Sequence, residues 1–292
     1  ILKITKNKID YFLLLTPGLI LFAVLIMLPI LLTIIYSFFK ISFLTNQFDY
    51  VGFKNFLKLF HKKDFYNSLK IVLTLTIVAV IFSNFIGIIF AKLFNKNNKI
   101  FIVLRVLIFT PFILSPIVVG YTFSSILTDN GILNQFLSYF SINHNISWLG
   151  NSKYALVSIS IALCWQLVAF CTVIYLACLK NIPSELEDAV SIDGANNLQK
   201  FRYLDWPLLA PALTINTVVI LISSFKLYDR VLALTGGGPG RSTETISMLI
   251  IRTAFNENRV GLASSMSLIL LIISGITTFI ALIYLGKREV VI

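Results

Sequence analysis

Six long runs without a charged residue dominate the chain. Each has at least 20 residues, and a helix of that length reaches roughly 30 Å, the thickness of the hydrocarbon core of a bilayer. Membrane β-strands are only about 10 residues long and alternate polar with apolar positions, which these runs do not. The pattern therefore predicts an all-α membrane protein with six transmembrane helices. The expected spans are Tyr11–Phe39, Ile71–Ala91, Val106–Thr128, Tyr154–Leu179, Trp206–Phe225 and Val260–Gly286.

The composition agrees with a membrane protein. Hydrophobic residues make up 57% of the chain and charged residues 13%, and the mean hydropathy is +0.88, whereas a soluble chain is about one quarter charged. The net charge of +11 would suggest nucleic-acid binding in a soluble protein. Here the basic residues flank the apolar runs, so we expect contact with membrane lipid and no nucleic acid.

The loops give a weak indication of orientation. Six spans place both termini on one side, and the lysines near the termini and in the second loop favour the cytoplasm. The first loop, on the opposite side, is also rich in lysine, so charge alone leaves the orientation open. The spacing of Phe53, Phe56, Leu57 and Phe60 in this loop predicts a short helix at the membrane interface.

The segment between the fourth and fifth runs holds five of the 13 acidic residues. Ser184 and Glu187 fit a capping box, which predicts that a helix begins there, and Gly194 is placed to end it. Asn196 or Asn197 can cap a second helix that continues to about Tyr203. The acidic residues of the segment are Glu185, Glu187, Asp188, Asp193 and Asp205.

Two interpretations of this helix–turn–helix stay open from the residues alone. Leu186, Ala189 and Val190 form an apolar strip among the acids, which suits a helix that docks into a groove on another protein. A helix pair that is simply solvated is equally consistent. Pro207 and Pro211 are expected to make the return into the fifth span rigid.

The run IPSELEDAVSIDGA resembles the EAA loop, the cytoplasmic coupling loop of ABC importer permeases. The Glu of that motif falls on Asp188, a departure that keeps the charge and shortens its reach. YVGFKNFLKLF, LTGGGPGRSTETISMLIIRTAF and GLASSMSLIL resemble the carbohydrate-importer branch, which transports maltose, oligosaccharides or glycerol phosphate. The resemblance implies that ATPase coupling rests on Glu187, Asp188, Ala189, Asp193, Gly194, Ala195 and Pro207.

The same resemblance implies a fold and a set of partners. The fold is that of a type I ABC importer permease, with residues 1–292 as one permease domain and 182–207 as the coupling loop. The expected partners are a second homologous permease, two copies of a cytoplasmic ATPase and an extracellular solute-binding protein. ATP and Mg would be bound by the ATPase, and this chain would have no cofactor and no enzymatic activity. The resemblance also implies that the protein lies in a bacterial plasma membrane, with both termini in the cytoplasm and the 234–259 loop outside.

The glycine-rich stretch LTGGGPGRSTET looks like a phosphate-binding loop but fails the pattern. That motif needs Gly, four residues, Gly, Lys and then Ser or Thr, after a strand and before a helix. Thr235 occupies the first glycine position and Arg241 the lysine position, and an apolar span precedes the loop. A tight turn near the outer mouth of the permease is the better interpretation.

Polar and aromatic residues in the fourth and fifth runs are candidates for the solute pathway, because polar groups inside spans are costly and aromatic faces stack on sugar rings. By resemblance to maltose-type permeases this role falls on Trp165, Gln166, Phe170, Ser224, Leu227 and Tyr228. Helix packing is the alternative at each position. Cys164, Cys171 and Cys178 recur every seven residues on one helical face, which suggests packing and no metal site.

The sequence therefore predicts the permease subunit of an ATP-driven importer of a sugar or oligosaccharide. Importers of another solute, such as glycerol phosphate, are the nearest alternative. An ion-coupled secondary transporter would require titratable residues at mid-span, and the six runs contain no acid. A membrane enzyme would require His, Asp or Glu grouped at one face, and the two histidines are far apart in the sequence.

Overall fold

The computed structural model describes residues 8–42, 47–96, 98–140 and 146–289, and they form a helical protein with one short hairpin. The predicted helical membrane fold is confirmed. The hairpin, β1 (Phe39–Ser42) and β2 (Gln47–Tyr50), was not foreseen from the hydrophobic pattern. The helices are α1 (Lys8–Phe22), α2 (Leu28–Ser37), α3 (Lys54–Phe60), α4 (Lys63–Phe94), α5 (Lys99–Ile113), α6 (Pro116–Leu127), α7 (Ile132–Tyr139), α8 (Ser152–Lys180), α9 (Ser184–Ile192), α10 (Asn197–Lys200), α11 (Trp206–Leu208), α12 (Ala210–Phe225), α13 (Asp229–Thr235), α14 (Ile246–Ile251) and α15 (Val260–Gly286).

Four helical stretches in the described part of the chain are long and apolar enough to cross a membrane, namely Leu14–Ser37, α4, α8 and α15. Two pairs of helices, each bent at a short break, also pass this test, and counting each pair as one span raises the number of spans to as many as six. Lys99–Ile113 and Pro116–Tyr139 are bent by 100°, and Asn197–Leu208 and Ala210–Phe225 are bent by 61°. The third and fifth expected spans are therefore interrupted helices.

Proline accounts for the break in the third span. Leu114 and Ser115 have extended backbones, with ψ of 141° and 147°, and Pro116 starts α6. A residue before proline avoids the helical region, and proline has no N–H to continue the helix. The Ser115 hydroxyl accepts a hydrogen bond from the Val118 amide at 3.4 Å and so caps α6.

The chain divides into two compact units, and the first contains the described residues up to Lys62 together with 250–269. In it, Asn55 of α3 donates hydrogen bonds to the carbonyl oxygens of Ser37 and Phe39, both at 2.9 Å. These bonds fix α3, the predicted interfacial helix, against the start of the hairpin. Gly261 lies so close to the Phe39 carbonyl that a β-carbon could not fit there.

The second unit, residues 63–249 and 270–289, is built on the packing of α4 against α8. A β-carbon on Gly87 would lie 2.6 Å from the β-carbon of Cys171, so the two helices touch at this glycine. Cys171 is buried in this contact, as expected for a packing residue. Apolar side chains that fill the core include Leu75, Ala79, Ile159, Leu163 and Ile220.

Buried polar groups also join the helices of the second unit. The Tyr175 hydroxyl on α8 donates to Oδ1 of Asn84 on α4 at 2.6 Å, and Asn84 donates to the Val80 carbonyl at 2.8 Å. Asn216 on α12 is fully buried in the same unit. Such polar contacts are common between membrane helices.

Candidate functional site

The coupling loop begins with α9, and its first helical residue is Ser184, as predicted. The predicted capping box is absent, because Ser184 lies inside the helix and Pro183 takes the N-cap position without a side-chain hydrogen bond. Glu185 and Glu187 lie in the first turn, where carboxylates interact favourably with the helix dipole. The helix start was therefore predicted correctly and the cap was not.

Gly194 makes the sharp turn that ends α9. Its φ is +72°, in the left-handed region that favours glycine. The Gly194 amide donates to the Ser191 carbonyl at 3.2 Å, and the Ala195 amide donates to the Val190 carbonyl at 3.2 Å. A β-carbon at Gly194 would meet nothing within 4 Å. Glycine is thus needed here for its backbone conformation and not for space.

Asn196 caps the second helix of the coupling loop, as one of the two predicted alternatives. Its side chain accepts from the Leu198 and Gln199 amides at 3.1 and 2.9 Å, and the Gln199 side chain accepts from the Asn196 amide at 2.8 Å. The helical path continues through a π-helical stretch, Phe201–Asp205, to Leu208. It is therefore longer than the predicted helix ending near Tyr203.

The α9–α10 pair presents both acidic and apolar groups to its surroundings. Glu187 forms an ion pair with Lys200 of α10 at 3.0 Å, whereas Asp188 and Asp193 are exposed. Ile192 is 86% exposed and Leu198 75% exposed. Ala189 and Gly194 are also exposed, and Ala195 is half-buried. An exposed apolar surface of this kind suits a protein contact.

The far end of the coupling loop is held against α4. Lys92, near the end of α4, forms an ion pair with buried Asp205 at 3.2 Å. The same ammonium lies 4.1 Å from the centre of the Phe201 ring. Pro207 is half-buried and is the middle residue of α11, which ends just before the bend into α12. The coupling loop is thus anchored at its C-terminal end and exposed at α9.

The glycine loop, defined as residues 234–245, contacts the opposite end of α4. Arg241 pairs with Asp64, the second residue of α4, at 3.1 Å. Asp64 and Lys92 are 28 residues apart, which corresponds to about 42 Å along a helix. That distance exceeds the hydrocarbon thickness, so α4 places the glycine loop and the coupling loop at opposite ends of a membrane-spanning helix.

Internal hydrogen bonds occupy several amides of the glycine loop. The Gly238 amide donates to the Thr235 carbonyl at 3.0 Å, and the Thr243 amide donates to the Gly237 carbonyl at 3.2 Å. The Thr243 hydroxyl donates to the Gly238 carbonyl at 2.7 Å. A phosphate cradle needs amides that point outward, and α13, not a strand, precedes this loop. The geometry is that of a closed turn.

The candidate solute residues of α8 lie near the bend between α5 and α6. Trp165 is half-exposed, contacts the Phe123 ring at a centroid distance of 5.4 Å, and lines an apolar cavity of about 850 Å³ between α4, α5 and α8. The Phe170 ring lies 5.1 Å from the Phe112 ring. The side-chain amide of Gln166 is buried and donates to the Leu114 carbonyl at 2.6 Å.

The candidate residues of the fifth span and the segment after it are more deeply enclosed. Ser224 is fully buried, and its hydroxyl has no hydrogen-bond partner among the described residues. The carbonyl of buried Leu227 accepts from the Thr245 hydroxyl at 2.6 Å. Tyr228 is half-buried and directly precedes α13. No ligand contact tests these six positions, so their role in the pathway stays a prediction.

Arg230 joins the two groups of candidates, and sequence reasoning missed it. It belongs to α13, is only 5% exposed, and donates from Nη2 to Oε1 of Gln166. α13 itself lies close against α6, because a β-carbon on Gly120 would be 2.6 Å from that of Ala233. The available signal was a basic residue directly before the apolar stretch 231–234, which lies outside the six charge-free runs.

Comparison with known proteins places this geometry in a family. Residues 83–288 match the family described as "binding-protein-dependent transport system inner membrane component". The probable starch degradation products transport system permease protein of Thermoanaerobacterium thermosulfurigenes is 30% identical, with 99% of this chain and 98% of that protein covered. The multiple sugar-binding transport system permease protein of Streptococcus mutans is 33% identical, with 87% and 88% covered.

Comparison with solved structures agrees with the family found by sequence. A chain of a bacterial ABC transporter involved in the import of the acidic polysaccharide alginate superimposes with a TM-score of 0.83, 19% identity and 95% coverage of both chains. That likeness shows that this chain has the fold of an ABC importer permease. The expected family is thereby confirmed, and the protein belongs to the inner-membrane components of binding-protein-dependent transport systems.

Proposed function

We propose that this chain is the membrane-spanning permease subunit of an ATP-driven importer for a sugar or oligosaccharide. Relatives that match it over most of its length are named as permeases for starch degradation products, for multiple sugars, and for trehalose and maltose. The observation that carries the proposal is the arrangement of α4, whose two ends contact the glycine loop and the coupling loop. The chain thus offers one surface for solute delivery and another for an ATPase subunit.

The proposed contact with the ATPase subunit is α9 together with the turn at Gly194. A cytoplasmic ATPase subunit, which binds ATP and Mg, would hold this helix by its exposed apolar residues and by Asp188 and Asp193. The exposure of Ile192 and Leu198 supports such a contact, since apolar side chains are costly in water. Two ATPase copies and a second, homologous permease would complete the transporter. The chain itself would perform no bond chemistry.

Orientation follows from this assignment. With the coupling loop in the cytoplasm, both termini are cytoplasmic and the glycine loop faces outward, in the cell membrane of a bacterium. The extracellular solute-binding protein on which the family depends would then deliver solute near the glycine loop. Arg241 and its partner Asp64 lie on that face.

The proposed solute pathway includes Trp165, Gln166, Phe170, Ser224, Leu227 and Tyr228. Aromatic rings at Trp165 and Phe170 would stack on sugar rings, and the amide of Gln166 would exchange hydrogen bonds with hydroxyls. In this conformation the Gln166 amide already contacts the Leu114 carbonyl and Arg230. Gln166 keeps one donor and one acceptor position, and because it is buried, solute would reach it only after the surrounding side chains move.

Reconstitution tests the function. The chain, its partner permease and its ATPase would be placed in proteoliposomes with the external binding protein, and uptake of radiolabelled maltose, raffinose and glycerol phosphate would be followed. We expect uptake of a sugar that requires both ATP and the binding protein. Accumulation driven by a sodium or proton gradient without the ATPase would contradict the proposal. Uptake restricted to glycerol phosphate would contradict the sugar assignment alone.

A further inference from the structure

A basic cavity of about 620 Å³ lies in the first unit, between β1, α3 and the start of α15. Lys40 of β1, Lys58 of α3 and Arg259 line it, and all three side chains are exposed. Gln47 and Asn258 add amide groups. Asn258 also donates to the Ser42 hydroxyl at 3.0 Å and so joins β1 to the segment that leads into α15. The cavity is therefore formed by tertiary contacts and is not a chance group of side chains on one helix.

The cations around the cavity exceed the acids that could neutralise them. Glu257 is the carboxylate in its lining, and it is shared between Arg252, Lys62 and Arg259 at 2.8, 3.4 and 3.6 Å. Within the described ranges, Lys40 and Lys58 have neither an ion pair nor a side-chain hydrogen bond. Asp49 stands opposite Lys40 in the hairpin ladder, but it forms no ion pair with it there and does not line the cavity. The site retains an excess of positive charge.

Exposed apolar side chains continue from the cavity along the hairpin and α3. Aromatic and aliphatic residues of this type are enriched where a membrane meets water, with basic residues beside them. If the cavity instead bound an acidic loop of a soluble protein, we would expect polar side chains around it, as at the rim of a protein–protein interface. The exposed residues are Phe48, Tyr50, Phe53, Leu57 and Phe60.

We infer that this cavity binds the phosphate headgroup of an anionic phospholipid. Lys40, Lys58 and Arg259 contact the phosphate oxygens, and the amide of Gln47 lies beside them as a further donor. The acyl chains lie along the exposed aromatic residues of the hairpin and α3. The site is independent of the transported solute, because it uses none of the candidate pathway residues. Each cation near an anionic lipid surface strengthens association roughly fivefold.

Native mass spectrometry of the intact transporter tests the inference. The complex is released from nanodiscs that contain equal amounts of phosphatidylglycerol and phosphatidylcholine, and retained lipids are counted. The triple variant Lys40→Gln, Lys58→Gln, Arg259→Gln is compared with the matched triple Lys54→Gln, Lys63→Gln, Lys153→Gln. The control removes the same charge from residues outside the cavity lining.

We expect the wild type to retain phosphatidylglycerol in preference to phosphatidylcholine. The cavity triple removes three such contributions and should lower this preference on the order of a hundredfold, and the control triple by less than about twofold. Lys58→Arg, which keeps the charge, should retain lipid as the wild type does, and it guards against misfolding as the cause of any loss.

Three results would overturn the inference. Equal loss in the two triples would show unspecific attraction to a charged surface. Displacement of the lipid by millimolar inorganic phosphate would identify a site for soluble anions. Unchanged lipid retention together with weaker capture of the solute-binding protein by the cavity triple would identify a protein-docking surface.

Discussion

Replacing Gln166 with Leu tests whether its side chain bridges three separate helical elements. The amide donates to the Leu114 carbonyl at the α5–α6 bend and accepts from buried Arg230 of α13. Leucine has a similar volume and no polar atoms, so the change removes both hydrogen bonds with little change in packing. We expect Gln166→Leu to destabilise the protein, and a second change, Arg230→Leu, to restore part of the loss.

The magnitude follows from what each group loses. Hydrogen bonds between membrane helices average about 0.6 kcal/mol and reach about 1.7 kcal/mol, and those to charged groups contribute about 1.5–3 kcal/mol. Loss of both at Gln166 should cost about 2–4 kcal/mol. Arg230→Leu alone removes the buried charge together with its bond and should cost about 1 kcal/mol. The double variant should then be about 1–2 kcal/mol more stable than Gln166→Leu.

Unfolding in mixed detergent and SDS, followed by circular dichroism, measures these differences as a double-mutant cycle. Gln135→Leu is the matched control, because this exposed residue makes a similar side-chain bond to the Asn130 carbonyl at 2.9 Å. We expect the control to change stability by less than about 0.5 kcal/mol. Additive effects of the two substitutions, or equal effects of Gln166→Leu and Gln135→Leu, would refute the bridge.

Three further predictions concern the coupling loop and the helix core. Gly194→Leu should reduce co-purification of the ATPase although the chain still inserts into the membrane. The reason is that a φ of +72° costs a branched side chain about 1 kcal/mol or more. A normal yield of the complex would contradict this prediction. Asp188→Lys should lower ATP-dependent uptake by reversing an exposed charge on α9, and unchanged uptake would remove this residue from the coupling surface. Gly87→Leu should lower the thermal midpoint, because overpacking against Cys171 costs about 1–3 kcal/mol of folding stability. Gly275→Leu is the control and should leave the midpoint unchanged, because a β-carbon there meets nothing within 4 Å.

Local signals in the sequence were sufficient for the helices of the coupling loop. Gly194 ends α9 and Asn196 starts α10 because both act on the backbone within a few residues, so their effect depends little on the rest of the fold. The capping box at Ser184 fails for an equally local reason. Pro183 has no N–H and a φ of −58°, which suits the start of a helix and shifts Ser184 inside it.

The bends and the hairpin were not predicted, because hydrophobicity alone does not report them. Pro116 lies in an apolar run long enough to span, and a proline can be tolerated in a membrane helix where other groups satisfy the freed carbonyl. Here the chain breaks instead, and the Gln166 amide donates to the Leu114 carbonyl in the break. The hairpin strands are only four residues each, and β1 begins two residues after α2 ends, so the apolar Phe38 and Phe39 extended the expected first span beyond the helix.

The contact between Gln166 and Arg230 joins residues 64 positions apart, which no local pattern could predict, and it has a consequence for coupling. α8 continues without a break from Gln166 to Lys180, about 21 Å along the helix axis, and α9 begins four residues later. The last two residues of α13, Leu234 and Thr235, are the first two of the glycine loop. If an ATPase subunit displaces α9, as proposed, α8 would carry the displacement to the Arg230 bridge, and α13 would carry it from there to the opposite face. Transport should depend on this bridge even if solute never touches Arg230.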